Sequence, residues 1–496
     1  MTTDLETNIR DFEKVFEGSG DLVKRRFPAG TSKEINCYIA YLDMLVNREL
    51  LDNLVIKQLL VFLKEVPPGE DVFDILRDKV ATADMTVAET IEEAAEAALN
   101  GDTLLFAEGC DRALAVSTKG WPNRGIGTTD SEVSVQGAKD AFTESFRMNT
   151  MLIRRRIKDT KLKIDQMALG RRTKTSIALM YLEDVARPSV VHEAKKRLEA
   201  IDIDGLLDVG YIEQLIGDDW VTPYPQSQTT ERPDTASAAI LEGRVVIVAD
   251  NSPYVLIVPA TMNTFFQAVD DYYEHWTIMS FTRFLRFVAA FLAVCLPGLY
   301  IAVACFHPSM IPMLLIFKMA GARQAVPFPG VVEILLMDLS LELLREAGLR
   351  LPGPIGNTIG IVGGLIIGQA AVEAGLVSPI VVIVVALAGI SSFTVPHVSL
   401  VAGLRLTKYL VLFCSAVLGL LGFWLGILIS LVHLSCLQSF GLPYLFPFVS
   451  GDVNGYSDMK DTLFRVPLFM MKKRPIFARP GHATRVGEEN KDVLSK

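Results

Sequence analysis

Residues Phe287 to Phe306 read FVAAFLAVCLPGLYIAVACF, twenty positions without a charge. At 1.5 Å per residue a helix of that length covers about 30 Å, the thickness of bilayer hydrocarbon. This segment decides the fold class, because it divides the chain into a water-soluble half and an oily half. Residues 1 to 282 hold 46 acids and 31 bases, a balance of −15, whereas 283 to 440 hold only 5 acids and 8 bases. Arg283 and Arg286 stand before the apolar run, so its N-terminal end is expected on the cytoplasmic side. Residues 441 to 496 carry 9 bases against 6 acids, with Lys472, Lys473 and Arg474 just past the oil, and read as a basic cytoplasmic tail.

Three further stretches are long and apolar enough to cross: Ile355 to Val372, Val377 to Val395 and Tyr409 to Val432. Between the first span and these lie a short run, Ile311 to Phe317, and an amphipathic stretch, Val331 to Leu344. They read as re-entrant or protein-buried pieces. Four crossings place both termini on the cytoplasmic side; Arg345 and Arg350 then fall on the unfavoured side, which leaves five or six crossings open.

The soluble half reads as two α/β subdomains, 1–135 and 136–282, followed by a helical membrane domain over 283–440 and the tail over 441–496. Ile35 to Leu42 has the pattern of a strand, and Leu50 to Leu63 the spacing of a helix. Thr103 to Ala107 and Arg112 to Val116 flank Glu108-Gly109-Cys110-Asp111 as a hairpin. A helix is expected over Lys139 to Lys158 and another over Pro188 to Ala200, with strands at Thr175 to Leu182, Arg244 to Val248 and Tyr254 to Val258. Bases outnumber acids 13 to 6 between 151 and 200, but aromatic interleaving is missing and the next 82 residues hold 13 acids against 2 bases. A solvated or inter-subunit face is therefore expected, and no nucleic-acid partner.

No enzyme signature appears: HExxH, GxSxG and a Walker A loop are absent, and six scattered cysteines and six scattered histidines suggest neither a disulfide framework nor a metal site. No cofactor is expected, and the chain is not expected to be an enzyme. Chemistry is sought in the membrane half. Gly356, Gly360, Gly364 and Gly368 recur every four residues, giving one helix face on which another backbone can approach. The adjacent stripe, Asn357, Ile361, Leu365, Gln369 and Glu373, has polar ends and an apolar middle. In a ring of subunits Glu373 would form an acidic ring that favours cations, and Ile361 with Leu365 a hydrophobic gate; alternatively Glu373 is a wetted helix end. Glu333 and Asp338 read as members of a structural ion-pair set with Arg345, Arg350 and Arg323. Ser391, Ser392, Thr394 and His397 are weaker candidates for lining a path.

Ten separate blocks resemble the A-subunits of bacterial spore germinant receptors of the GerA type. They are GRRTKT (170–175), AIDID (200–204), TERPD (230–234), EGRVVIVAD (242–250), DDYY (270–273), LPGLYIA (296–302), VPFP (326–329), REAGLRLPGPIGNTIGI (345–361), GQAAVEAGLVSP (368–379) and SFGLPY (439–444). The resemblance implies an integral protein of the spore inner membrane with a cytosolic N-terminal region of two subdomains. It implies as partners a transporter-like B-subunit and a lipoprotein C-subunit. It further implies a homo-oligomeric, nutrient-gated cation channel that releases ions during germination. A related branch, the stage V sporulation protein AF type, shares the blocks and is thought to amplify ion release without sensing nutrient. A secondary transporter and a scaffold that recruits partners are the other classes left open.

Overall fold

Strand pairing in the N-terminal half is dictated by short runs of aliphatic residues bounded by turn residues. The computed structural model describes residues 1–30, 35–63, 71–82, 84–120, 132, 136–350, 368–450, 457–482 and 484–485. It divides into two units: Met1–Asp218, Ser227–Pro259 and Lys472–Lys496 form the first, and Asp219–Gln226 and Ala260–Met471 the second. The region beyond 440 is thus shared, with residues to Met471 in the second unit and those from Lys472 in the first.

The first unit is built twice from one plan. Helix α1 (Leu5–Val15), strands β1 (Leu22–Ala29) and β2 (Ile35–Leu42), helices α2 (Arg48–Leu51) and α3 (Val72–Lys79), strand β3 (Met85–Ala88), helix α4 (Ile91–Leu99) and strands β4 (Thr103–Ala107) and β5 (Ala113–Val116) make the first copy. The second copy has α5 (Phe146–Arg156), β6 (Leu162–Leu169), β7 (Thr175–Leu182), α6 (Pro188–Glu199), α7 (Val209–Ile216), β8 (Gln228–Thr230), α8 (Pro233–Leu241), β9 (Val245–Ala249) and β10 (Val255–Val258). The sheets are ordered β1-β2-β4-β5-β3 and β6-β7-β9-β10-β8. Equivalent strands start 140 residues apart at Leu22 and Leu162, and 142 apart at Thr103 and Thr103's counterpart Val245.

Each copy opens on the same side-chain lock. Buried Asn8 accepts from the Thr2 amide at 2.9 Å and donates to the Thr2 carbonyl, and buried Asn149 does the same with Thr143, accepting at 2.8 Å. The motif is Thr-x5-Asn, and in both copies the Asn sits in the first turns of a helix. Central strands β4, β5, β9 and β10 are buried at every position, as expected when both faces of a sheet are covered. One core joins the copies, bringing Phe12, Ala98 and Phe106 into a cluster with Leu152, Ile153, Ala178 and Val246. A second covers the other face of the first sheet, where Ile39 and Leu105 pack with Val55, Leu59 and Phe73.

Arg154 bolts the two copies together. Its Nε and Nη2 donate to Asp21 at 2.8 and 3.0 Å, and its remaining donors reach the carbonyls of Asp159 and Leu162. The basic run containing it is therefore not one solvated face: Arg154 is buried, whereas Arg171 and Arg172 are exposed and pair with Asp202 and Asp204. The helix expected from Lys139 begins only at Phe146, because Asp140 to Ser145 are used by the approach to the Asn149 lock and by Arg156, which holds Asp140.

In the second unit, α9 (Asp270–Tyr273) leads into α10 (Trp276–Ile301), which continues as a wider turn over Ala302–Phe306. Helices α11 (Met313–Arg323), α12 (Gly330–Arg350), α13 (Pro379–Ser392) and α14 (Val398–Cys436) follow. Among the described residues, two segments are long and apolar enough to cross a membrane, Trp276–Phe306 and Val398–Cys436. Both expose large apolar side chains such as Phe281, Phe291, Phe413 and Trp424, the surface that lipid, not water, accommodates.

The span expected from Tyr409 to Val432 is not a single crossing. Gly419 has φ 60° and ψ −133°, outside any helix, and the chain reverses there. A Cβ on Gly426 would stand 3.0 Å from Val411 Cα, and one on Gly422 would collide with the Cys414 carbonyl. A straight helix would hold residues 411 and 426 about 22 Å apart. So α14 is a helical hairpin whose arms pack through glycine, and a signal of hydropathy alone runs through the turn unbroken. Its first arm lies against α10, where a Cβ on Gly298 would meet Val411 and Ser415 at 3.0 Å; small residues are what let two helices approach so closely. Of the other expected spans, Ile355 to Val372 lies outside the described residues except for its last positions, and Val377 to Val395 is realised as the 14-residue α13.

Gly422→Val is expected to prevent the arms from closing and to lower the thermal midpoint of the detergent-purified protein by about 3 °C, at ~3 kcal/mol for an overpacked site. A continuous helix would gain a few tenths of a kcal/mol from the same change, valine being the better helix former, so an unaltered or raised midpoint would argue against the hairpin.

Candidate functional site

Ionisable side chains in an apolar helical unit are costly unless paired, so their partners define where the unit can do anything besides pack. Two such groups stand out. At the foot of α10, Asp271 accepts from Arg283 at 2.9 and 3.0 Å and from Arg286 at 2.8 Å, while Asp461 takes the other end of Arg283. Arg465 donates to the Asp271 carbonyl and its amide meets Ser280 Oγ at 3.1 Å. The two arginines before the first span are therefore buried and neutralised by named acids, not free surface cations.

The second group is a seam between α12, α13 and the first arm of α14. Glu333 accepts from Arg323 Nη2 at 3.0 Å and from the Ser378 amide at 2.8 Å. One turn on, Asp338 accepts from Lys408 Nζ at 2.7 and 2.8 Å, with side-chain exposures of 3% and 8%. A further turn on, Glu342 is shared by Arg405 at 3.0 Å, Arg345 at 3.4 Å and Lys408 at 3.5 Å. Arg345 also donates to Ser392 Oγ at 2.9 Å and lies over the Phe393 ring. Asp338, Glu342 and Arg345 recur at helical spacing on one face of α12, and Glu333 stands about 140° round the helix from Asp338. That is why a 21-residue helix with charges can lie in an apolar bundle. The pairings also fix direction: 338 meets 408 and 342 meets 405, so α12 runs antiparallel to the first arm of α14. The contacts of 333 with 378 and 345 with 392 make it parallel to α13.

The ion-pair residues singled out from sequence are thus brought together in part. Glu333 has Arg323, one of its expected partners. Asp338 has neither Arg345 nor Arg350 but Lys408, and Arg345 has Glu342; the side chain of Arg350 lies outside the described residues. Lys408 and Arg405 escaped the sequence reading because they sit in a separate segment; Glu342, in the same stretch as Glu333 and Asp338, was passed over with them. The signal that could have found them is Arg405-x-x-Lys408, two cations one turn apart inside an otherwise apolar run.

Of the two stripes, Gly356, Gly360 and Gly364, and Asn357, Ile361 and Leu365, lie outside the described residues. Gly368 is buried, with Val382 Cγ1 3.6 Å from where a Cβ would stand. Gln369 and Glu373 are exposed, and Gln369 Nε2 donates to Glu373 Oε1 at 2.9 Å across one helical turn. Ser391 and Ser392 are buried, and Ser392 returns its hydroxyl to the Gly389 carbonyl at 2.6 Å. His397 stands edge-on to Phe265.

A duplicated α/β unit followed by a helical unit with an internal ionic seam describes a membrane-associated protein with a large soluble portion. Residues 10–477 match the family model described as Bacillus/Clostridium GerA spore germination protein, and the chain belongs to that family. It is 38% identical over 491 residues to spore germination protein KA of Bacillus subtilis, covering 99% of this chain and 90% of that protein. It is 40% identical over 398 residues to spore germination protein A1 of the same organism, covering 80% and 81%. It is likewise 38% identical over 478 residues to the Bacillus subtilis uncharacterized membrane protein YfkQ, covering 96% and 91%. Among solved structures, the N-terminal domain of the A subunit of the Bacillus megaterium spore germinant receptor GerK3 is 33% identical, over 53% of this chain and 97% of that one, with a TM-score of 0.42.

Several blocks by which the sequence resembles these receptor subunits have structural duties. GRRTKT and AIDID meet where the Arg171 and Arg172 amides donate to the carbonyls of Ile203 and Asp204, both at 2.9 Å. DDYY supplies Asp271 to the α10 foot. Ser439 of SFGLPY bonds the Ala260 amide and the Gln226 carbonyl.

Lys408→Met should leave Asp338 buried without a partner and destabilise the protein by ~3–5 kcal/mol, whereas adding Asp338→Leu should recover most of that loss. Denaturant unfolding of the single and double variants checks this, and equal losses in both would mean the pair does not act as a unit.

Proposed function

We propose that this chain is the membrane subunit of a spore germination receptor and that copies of it assemble into a nutrient-gated cation channel in the spore inner membrane. The N-terminal unit lies on the cytoplasmic side in this reading, and a transporter-like B-subunit and a lipoprotein C-subunit complete the receptor. Family membership supports the germination role. The observation that carries the channel reading is the contrast between acids: Glu333, Asp338 and Glu342 are each paired inside the unit, while Glu373 is exposed and meets only its neighbour Gln369 among the contacts described.

An acid that a single copy leaves exposed at the end of an apolar stripe is placed to become an acidic ring when copies surround an axis. Asn357, Ile361 and Leu365 continue that stripe, with the last two as the hydrophobic constriction and Gly356, Gly360, Gly364 and Gly368 as the packing face. The direction of the described helices supports a polytopic unit. Glu333 and Ser378 share one level of the bundle and Arg345 and Ser392 another, so α12 and α13 run the same way and the first arm of α14 returns against them.

The test is cation efflux from proteoliposomes carrying the reconstituted receptor. Glu373→Gln is expected to lower potassium flux about tenfold, as loss of a ring of charge would, and Leu365→Ala to open a leak in the absence of nutrient. If neither variant changes the flux, this helix does not line the pore. Wild-type flux that needs no nutrient would assign the chain instead to the stage V sporulation AF type of ion-release amplifier.

A further inference from the structure

The ionic seam does not neutralise itself. Around Glu342 stand three cations, Arg345, Arg405 and Lys408, and the second acid of the group, Asp338, is committed to Lys408. Three positive charges against two negative leave an excess of one in a bundle whose surroundings are Leu, Val and Ala. Glu346, the next acid along α12, is exposed and is not part of the wall.

These same side chains line a cavity between α10, α12, α13 and α14, with Glu342, Arg345, Ser392, Arg405 and Lys408 in its wall. About 20 Å³ of it is open to the centre of a water-sized sphere, enough for one water or one halide-sized guest. Two donors of that wall, Arg345 Nε and Arg405 Nε, are buried and without a hydrogen-bond acceptor among the described residues. An unmade bond leaves the desolvation of a buried donor uncompensated. A guest that is small, negative and able to accept several N–H bonds relieves the surplus charge and both orphan donors at once; water relieves only the donors.

We propose that this cavity is a binding site for a small monovalent anion, of chloride or nitrate size, held by Arg345 and Arg405 with Lys408 beside it. Glu342 is the competitor: its carboxylate already lies within ion-pair distance of all three cations and sets how tightly the anion is held. The bound anion ties α12 to α13 and to the first arm of α14, segments whose polar contacts in that region are otherwise Arg345 with Ser392, and Glu342 and Asp338 with Arg405 and Lys408. This inference rests on the charge count and the cavity and does not depend on the channel reading.

The test uses the full chain in detergent, with sodium gluconate replaced by sodium chloride or sodium nitrate at constant ionic strength. The thermal midpoint is expected to rise by ~3 °C, growing with the logarithm of chloride or nitrate concentration once that exceeds the dissociation constant, as for any ligand that binds only the folded state. Arg405→Gln should abolish the rise. Glu342→Gln, which removes the competing carboxylate, should instead lower about tenfold the anion concentration at which the midpoint begins to climb, and so the apparent dissociation constant. That second variant keeps the test decisive if Arg405→Gln fails to fold. Identical midpoints in the three salts would mean that the cavity holds water alone, and that result overturns the proposal. So would a rise of wild-type size in Arg405→Gln, or an unchanged or higher apparent dissociation constant in Glu342→Gln.

Discussion

The helical unit depends on the pairing of Asp338 with Lys408. Neither charge can be left in hydrocarbon, where a lone carboxylate or ammonium costs several kcal/mol even after the surroundings relax. Because Lys408 Nζ reaches both carboxylate oxygens at 2.7 and 2.8 Å, the pair sets the register of α12 against the first arm of α14. Everything else in the seam follows that register: Glu342 falls beside Arg405, Arg345 beside Ser392, and Glu333 at the start of α13. A slip of one residue would turn the acids of α12 by about 100° toward lipid, so the ionic contacts specify one packing where apolar side chains alone would accept several.

Glycine has the complementary role. The reversal at Gly419 demands a positive φ that other residues adopt at a cost, and Gly422 and Gly426 then let the returning arm lie backbone to backbone against the first. Charges choose the register and glycines permit the approach. The same division holds in the first unit on a smaller scale, where Arg154 fastens two copies of one fold through Asp21 and the Thr-x5-Asn locks open each copy.

Much of this was legible in the sequence where a signal is local. Strands β2, β4, β7, β9 and β10 are apolar runs ended by Asp, Glu or Pro, and α6 starts at its proline; the pattern places them to within a residue or two. The duplication was not. The two copies keep strand lengths and order but share few identical side chains, so the repeat lives in spacing and in paired positions such as Asn8 and Asn149. The hairpin in α14 was hidden for a different reason. Hydropathy averages over a window and cannot feel one glycine, and a turn buried between two apolar arms carries none of the polar residues that usually mark one. The ion pairs were half legible. Acids in an apolar helix announce that partners exist, but the identity of Lys408 and Arg405 depends on which segments lie side by side, and that is decided only on folding.

In the proposed assembly identical copies surround an axis, which gives the exposed Glu373 and the glycine face their purpose. The most direct measurement is the mass of the full chain purified in a mild detergent, by light scattering corrected for bound detergent. A protein mass that is a small whole multiple, three or more on geometric grounds, of the 54.5 kDa chain is the result expected, since closed rings are how like subunits enclose a path. A monodisperse monomer of 54.5 kDa in a detergent that preserves activity would contradict it.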